Sequence, residues 1–99
     1  MTNKMIISHQ PNGGIELVIN ALEGREGFDQ LLNYLVNILS ARIIDSTDGK
    51  YDTRKCRLSY KGVEIEISYD TLFGNCIIAE SLESKRAVLE VADKLEDWL

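Results

Sequence analysis

The stretch SYDTLFGN, residues 68–75, holds the densest group of side chains that could do chemistry, with Asp70, Phe73 and Asn75 within six positions. A carboxylate at position 70 could serve as a general base or a metal ligand beside Tyr69. Either role needs a second group of complementary function held close by. The chain has one histidine, His9, far away in the sequence. The residue types therefore do not predict a catalytic centre here.

The same stretch is typical of a bend between two strands. Asp70 can start a turn, and Gly74 or Asn75 can take the left-handed backbone conformation that the turn needs. We expect Leu72 or Phe73 to cover the edge of the core. A partner-binding loop remains open as the alternative.

Other candidate sites are weaker. Ser8 and His9 are neighbours on a strand and point to opposite faces, so they do not form a nucleophile–base pair. The NGG at 12–14 lacks the glycine, lysine and helix start of a phosphate-binding loop. Cys56, Cys76 and His9 have no recognised ligand spacing, and the thiols are best interpreted as small core side chains. We expect no catalytic residue, no metal and no cofactor, hence no enzyme.

The elements that must position these residues follow from hydrophobic periodicity. Apolar alternation predicts strands at 4–8, 14–21, 42–46, 54–60, 63–70 and 75–80. The i, i+3, i+4 pattern predicts one amphipathic helix from Phe28 to about Ser40, and a second after Ser81, which can act as its N-cap. The order is ββ-α-ββββ-α. Ninety-nine residues with no linker predict a single domain over 1–99.

Each helix has a single apolar face, which predicts an α+β fold. One antiparallel sheet of five to six strands, with two helices packed on one face, would bury both helices. The other face of the sheet is then left to solvent or to a partner.

Charge is distributed unevenly around a net value of −5. Residues 1–41 carry −2, residues 42–61 carry +3, and residues 62–99 carry −6. Binding to nucleic acid phosphates needs lysine and arginine, so the overall sign disfavours a nucleic acid partner. A cluster of basic residues could still contact nucleic acid: Lys50, Arg54, Lys55, Arg57 and Lys61. We expect Lys55 and Arg57 to share a sheet face with glutamates of the next strand, and this pairing further disfavours nucleic acid binding.

The acidic side chains of the last third form either a solvated face or a docking surface for a basic partner. They are Glu64, Glu66, Asp70, Glu80, Glu83, Glu90, Asp93, Glu96 and Asp97. No apolar run approaches the ~18 residues that cross a membrane, and MII near the start is shorter than a signal-peptide core. We therefore expect a cytoplasmic protein with no membrane partner.

The assembled pattern resembles the small immunity proteins of bacterial polymorphic-toxin systems, particularly those of contact-dependent growth inhibition. The resemblance lies in GFDQLL, the polar hairpin DSTDGKYDTRKCRLSYKGVEIEISYD, the bend TLFGN, the strand CIIAES and the closing helix. It implies a cytoplasmic antidote that binds the C-terminal domain of a toxin. Such toxins are often basic nucleases, including ones that cut transfer RNA. The basic middle segment departs from this picture, so docking should use the C-terminal third or the bend.

From these observations we expect an immunity protein that neutralises a basic nuclease toxin domain by covering its active site or substrate surface. An adaptor or self-associating domain that uses a free sheet edge or face, and hence a possible homo-oligomer, is the alternative. The expected partner contacts are Tyr51, Asp52, Glu64, Glu66, Asp70, Phe73 and Asn75. The carboxylates would pair with lysine or arginine, and Phe73 would supply an apolar anchor.

Overall fold

The computed structural model describes residues 4–11, 13–49 and 53–99. Six strands and two helices follow the predicted order ββ-α-ββββ-α. The elements are β1 (Met5–His9), β2 (Ile15–Ile19), α1 (Gly24–Asn37), β3 (Arg42–Asp48), β4 (Arg54–Tyr60), β5 (Val63–Asp70), β6 (Gly74–Ala79) and α2 (Leu82–Trp98).

The six strands form one antiparallel sheet with the spatial order β1-β2-β6-β5-β4-β3. Strands β3 to β6 follow one another as a meander, which is the arrangement that their spacing predicts. The N-terminal hairpin joins at the far side, where Leu17 of β2 pairs with Ile77 of β6. Strands β1 and β3 are therefore the two edges.

Both helices pack on β5 and β6, and one continuous core lies between the helices and the sheet. Its fully buried members include Leu31 and Leu35 of α1, Val88 and Leu95 of α2, and Ile67 of β5. Burial of such side chains contributes about 1.5–3 kcal/mol each. The predicted α+β fold is confirmed.

Helix α1 begins earlier than its apolar periodicity predicts, at Gly24 instead of Phe28. Glycine is a poor helix former, so the segment EGREG reads as a break. Gly27 is buried, however, and packs so closely on the preceding loop that a Cβ there would lie 2.6 Å from a backbone carbon. The helix ends at Asn37, three residues before Ser40, whose φ of 61° is left-handed.

Helix α2 begins as predicted after Ser81. The Ser81 hydroxyl accepts a hydrogen bond from the Ser84 backbone N–H (3.1 Å), and the Ser81 N–H donates to the Ser84 hydroxyl (3.0 Å). This reciprocal pair satisfies N–H groups that the first turn of a helix leaves without partners.

Candidate protein-binding face

The sheet face opposite the helices is uncovered by any described element, and we call it the open face. Because side chains alternate along a strand, its members are every second residue of each strand. They are Ile6, Ser8, Glu16, Val18, Arg42, Asp45, Thr47, Lys55, Arg57, Ser59, Glu64, Glu66, Ser68, Asp70, Cys76 and Ile78.

The strand registers arrange these side chains in rows across the sheet. Ile78 of β6 pairs with Glu16 of β2 on one side and with Glu66 of β5 on the other. In the next row, Cys76 lies between Val18 and Ser68. The centre of the open face is thus a small apolar floor with a carboxylate on each side of it.

Glu16 is the residue that sequence analysis missed. It lies in the N-terminal third of the chain, and only the β2–β6 pairing brings it beside Ile78. Alternation along β2 does indicate which residues share a face with Glu16. The alternation does not indicate which strand pairs with β2, so no local pattern could have placed Glu16 across Ile78 from Glu66.

Arg57 on β4 is held by two carboxylates of the open face. Its Nε donates to both carboxylate oxygens of Asp45 at 3.1 Å, and its Nη1 donates to Glu64 Oε2 at 3.3 Å. The hydrogen bond from Arg57 lowers the pKa of the Asp45 carboxyl below its usual value. The expectation that Arg57 shares a face with Glu64 and Glu66 is confirmed, and its charge is offset locally.

Two further members of the basic segment are also paired with acids. Arg54 points to the helix side, where it donates to Asp29 at 2.6 Å and Asp48 at 3.2 Å and lies 4.6 Å above the ring centre of Phe28. Lys61 Nζ lies 2.7 Å from a carboxylate of α2. Pairing of this kind offsets the positive charge that Arg54, Arg57 and Lys61 could offer to a phosphate.

We call residues 70–75 the tip loop; they comprise the turn at 71–73 and the strand ends of β5 and β6 that flank it. Asp70 Oδ1 accepts hydrogen bonds from the backbone N–H groups of Leu72 (2.6 Å) and Phe73 (3.0 Å), and Gly74 has a φ of 73°. The turn started by Asp70 is therefore as predicted. The expectation that Leu72 or Phe73 covers the core edge is wrong, since they are 84% and 68% exposed.

Asn75 was expected at a partner surface, but the structure places its side chain inside the protein, 1% exposed. Its Nδ2 donates to the carbonyl oxygens of Leu22 (3.0 Å) and Gly24 (3.1 Å), which ties the tip loop to the start of α1. The amide oxygen, Oδ1, has no hydrogen-bond partner among the described residues. Asn75 is therefore a buried brace and not a surface contact.

The remaining predicted contacts fall on one continuous surface. Glu64, Glu66 and Asp70 lie on the open face, and Phe73 stands at the tip loop beside it. A shallow groove joins the two regions, with Glu16, Asp70, Phe73, Cys76 and Ile78 among its lining residues. Tyr51, Asp52 and the basic Lys50 lie outside the described residues.

The two cysteines are free and lie on opposite sheet faces. Cys56 belongs to the core, as expected, whereas Cys76 is buried in the open face and lies outside the core cluster. Burial raises the pKa of the Cys76 thiol to about 12, with further contributions from Glu16 and Asp70. A thiol in this state is a poor nucleophile and a poor metal ligand.

Within residues 4–11, 13–49 and 53–99, no group of three His, Cys, Asp or Glu side chains could hold a metal ion. Neither helix is long and apolar enough to span a membrane. Comparison of the chain with protein-family models, curated proteins and solved structures gave no match. The arrangement of side chains on the open face is therefore the basis for a functional argument.

Proposed function

We propose that this chain is an immunity protein that binds and neutralises the basic C-terminal nuclease domain of a cognate toxin in the cytoplasm. The observation that carries the proposal is the open face, where Glu16 and Glu66 lie on either side of Ile78. This surface continues through a groove to the exposed Phe73. Acidic groups around an apolar floor match a partner that presents lysine and arginine around apolar side chains.

Inhibition would then need no chemistry from this chain. A net charge of −5 accelerates the encounter with a basic domain, and the carboxylates form charge-assisted hydrogen bonds once the two are docked. The bound immunity protein would cover the active site or the substrate surface of the nuclease. Direct contact with nucleic acid is disfavoured by the carboxylates on the open face and by the pairing of Arg54, Arg57 and Lys61.

Co-expression tests the proposal. The C-terminal domain of the polypeptide encoded directly upstream is produced in a laboratory bacterium, alone or together with this chain. We expect growth arrest from the domain alone, normal growth on co-expression, and a 1:1 complex in light scattering after chromatography. An upstream domain that is toxic and remains toxic and unbound in the presence of this chain would refute the proposed pairing.

Charge reversal tests the face. The double variant Glu64→Lys/Glu66→Lys should weaken binding by about 100-fold or more, because it places two cations against a basic partner. The matched control Asp93→Lys/Asp97→Lys makes the same change in net charge on exposed positions of α2. The control should lose only a few-fold in association rate. Equal losses in both variants would mean that long-range charge, and not the open face, drives binding.

A second candidate function is self-association through the β1 edge. Strand β1 (Met5–His9) carries no Asp, Glu, Lys or Arg, and Ile6 and Ile7 are 54% and 42% exposed. The opposite edge, β3, carries three charged residues and a register irregularity, features that discourage edge pairing. Sedimentation that shows a dimer, and loss of that dimer in Ile7→Lys, would support this function. A concentration-independent monomer would exclude it.

A further inference from the structure

The tip loop presents two adjacent apolar side chains almost entirely to solvent. Leu72 is 84% exposed and Phe73 is 68% exposed, the two highest values among the large apolar side chains that the structure describes. Neither belongs to the core cluster or to the half-buried apolar side chains packed against it. Exposed aromatic and aliphatic side chains at a protruding position are typical anchors of protein interfaces.

The loop that carries this pair is held in place from both ends. At its start, Asp70 Oδ1 accepts hydrogen bonds from the N–H groups of both tip residues. At its end, the buried Asn75 amide donates to two carbonyls that precede and begin α1. These ties fix the backbone that carries the exposed side chains of Leu72 and Phe73.

The close approach of α1 to Asn75 is a further contact that holds the tip loop in place. Gly27 is buried against this junction, and a Cβ there would lie 2.8 Å from Asn75 Nδ2 and 2.6 Å from the carbonyl carbon of Leu22. The absence of a side chain at position 27 thus lets the tip loop, the loop before α1 and the helix itself meet at one point. A loop anchored to the core in this way loses little conformational freedom when it binds.

We propose that Leu72 and Phe73 form a preorganised anchor that inserts into an apolar cleft rimmed by lysine or arginine on the toxin domain, and that Asn75 is its positioning residue. The groove beside Phe73 is lined by two carboxylates, Glu16 and Asp70, and by one cation, Lys55. Its net charge is therefore negative, and charge complementarity favours a basic rim on the partner. This inference rests on the proposed function. It adds Leu72 to the contact surface and gives Asn75 a role that acts through the tip.

Binding kinetics test the anchor, with the upstream-encoded C-terminal domain as the probe and full-length chains as partners. Leu72→Ala and Phe73→Ala should each weaken binding by about 10-fold or more, mainly through faster dissociation. Thr71→Ala, an exposed and polar neighbour in the same loop, is the matched control and should change affinity by less than about 2-fold.

A double-mutant cycle tests the positioning role. Asn75→Ala should weaken binding by about 10-fold in the otherwise wild-type chain, yet have little further effect when Leu72→Ala and Phe73→Ala are already present. Hydrogen exchange of the Leu72 and Phe73 amides should accelerate in Asn75→Ala, which reports release of the tip without any partner.

The outcomes distinguish a failure of the proposed function from a failure of the anchor alone. A wild-type chain that does not bind the toxin domain overturns the proposed function and this inference with it. A wild-type chain that binds, with Leu72→Ala/Phe73→Ala within about 2-fold of it, overturns the anchor alone. An equal effect of Asn75→Ala in both backgrounds shows that Asn75 acts on overall folding and overturns its positioning role.

Discussion

Replacing Asn75 by alanine removes the amide that links the tip loop to α1. In the wild-type protein, Nδ2 donates to the Leu22 carbonyl at 3.0 Å in a buried setting and to the Gly24 carbonyl at 3.1 Å in a partly buried one. The substitution leaves both carbonyl oxygens without this donor. It also removes Oδ1, a buried oxygen that has no partner among the described residues.

Loss of the Nδ2 donor destabilises the protein, whereas removal of the unpaired Oδ1 stabilises it, and the destabilising effect is the larger. A buried polar group left unpaired costs about 1–3 kcal/mol, which applies in full to the Leu22 carbonyl. The Gly24 carbonyl is partly accessible, so water replaces much of its lost bond. Removal of the unpaired Oδ1 offsets a fraction of this destabilisation. We expect Asn75→Ala to lower the free energy of unfolding by about 2 kcal/mol, or the Tm by about 10 °C for a domain of this size.

Asn75→Asp makes the comparison sharper. A carboxylate cannot donate to the two carbonyls and is itself buried, so at about pH 7 this variant should be less stable than Asn75→Ala. The folded protein would raise the pKa of this carboxyl above its unfolded value. The folded state then binds the proton more tightly than the unfolded state, and stability rises as the pH falls. The deficit of Asn75→Asp relative to Asn75→Ala should therefore shrink towards about pH 4.

Urea unfolding followed by circular dichroism measures these differences directly. Asn33→Ala, an exposed amide in the middle of α1, is the control and should stay within about 0.5 kcal/mol of wild type. The reasoning is refuted if Asn75→Ala is as stable as this control. It is also refuted if Asn75→Asp equals or exceeds Asn75→Ala in stability at about pH 7.

Three further predictions concern other parts of the chain. Gly27→Ala should destabilise the protein by about 1–3 kcal/mol despite the higher helix propensity of alanine, because the new Cβ meets the backbone of the preceding loop. The control Gln30→Ala should be nearly neutral, and chemical denaturation compares the two variants. Arg57→Met should move the pKa of Asp45 up to its ordinary range in an NMR titration. The fall in stability on acidification that comes from protonating Asp45 should then be smaller than in the wild-type protein. Native Cys76 should resist alkylation at about pH 8 and react once the chain is unfolded, as peptide mass analysis can show.

Local patterns in the sequence were sufficient for most of the architecture. Strict alternation in RKCRLSY and VEIEISYD predicts strands at 54–60 and 63–70, and the structure has the same bounds. The alternation also places Arg57 on the face of Glu64 and Glu66, because the turn between these strands leaves a single register that buries both apolar sets. Ser81 begins α2 as its capping chemistry predicts.

Predictions that depended on the environment of one residue were less successful. Gly27 reads as a helix breaker, yet it lies inside α1 because its missing side chain permits a close contact. Leu72 and Phe73 read as cover for the core, yet both are exposed and lie outside the core cluster. Asn75 reads as a polar surface residue, yet it is buried because two backbone carbonyls need its donors.

The sequence by itself determined the order of the elements, the two faces of each strand and the acidic character of the C-terminal third. These are local properties, set by side-chain type and by the period of strand or helix. Only the tertiary structure decided that β2 pairs with β6, which places Glu16 beside Ile78 and across that residue from Glu66. Pairing between distant strands depends on how the whole core packs, and no single segment encodes that choice.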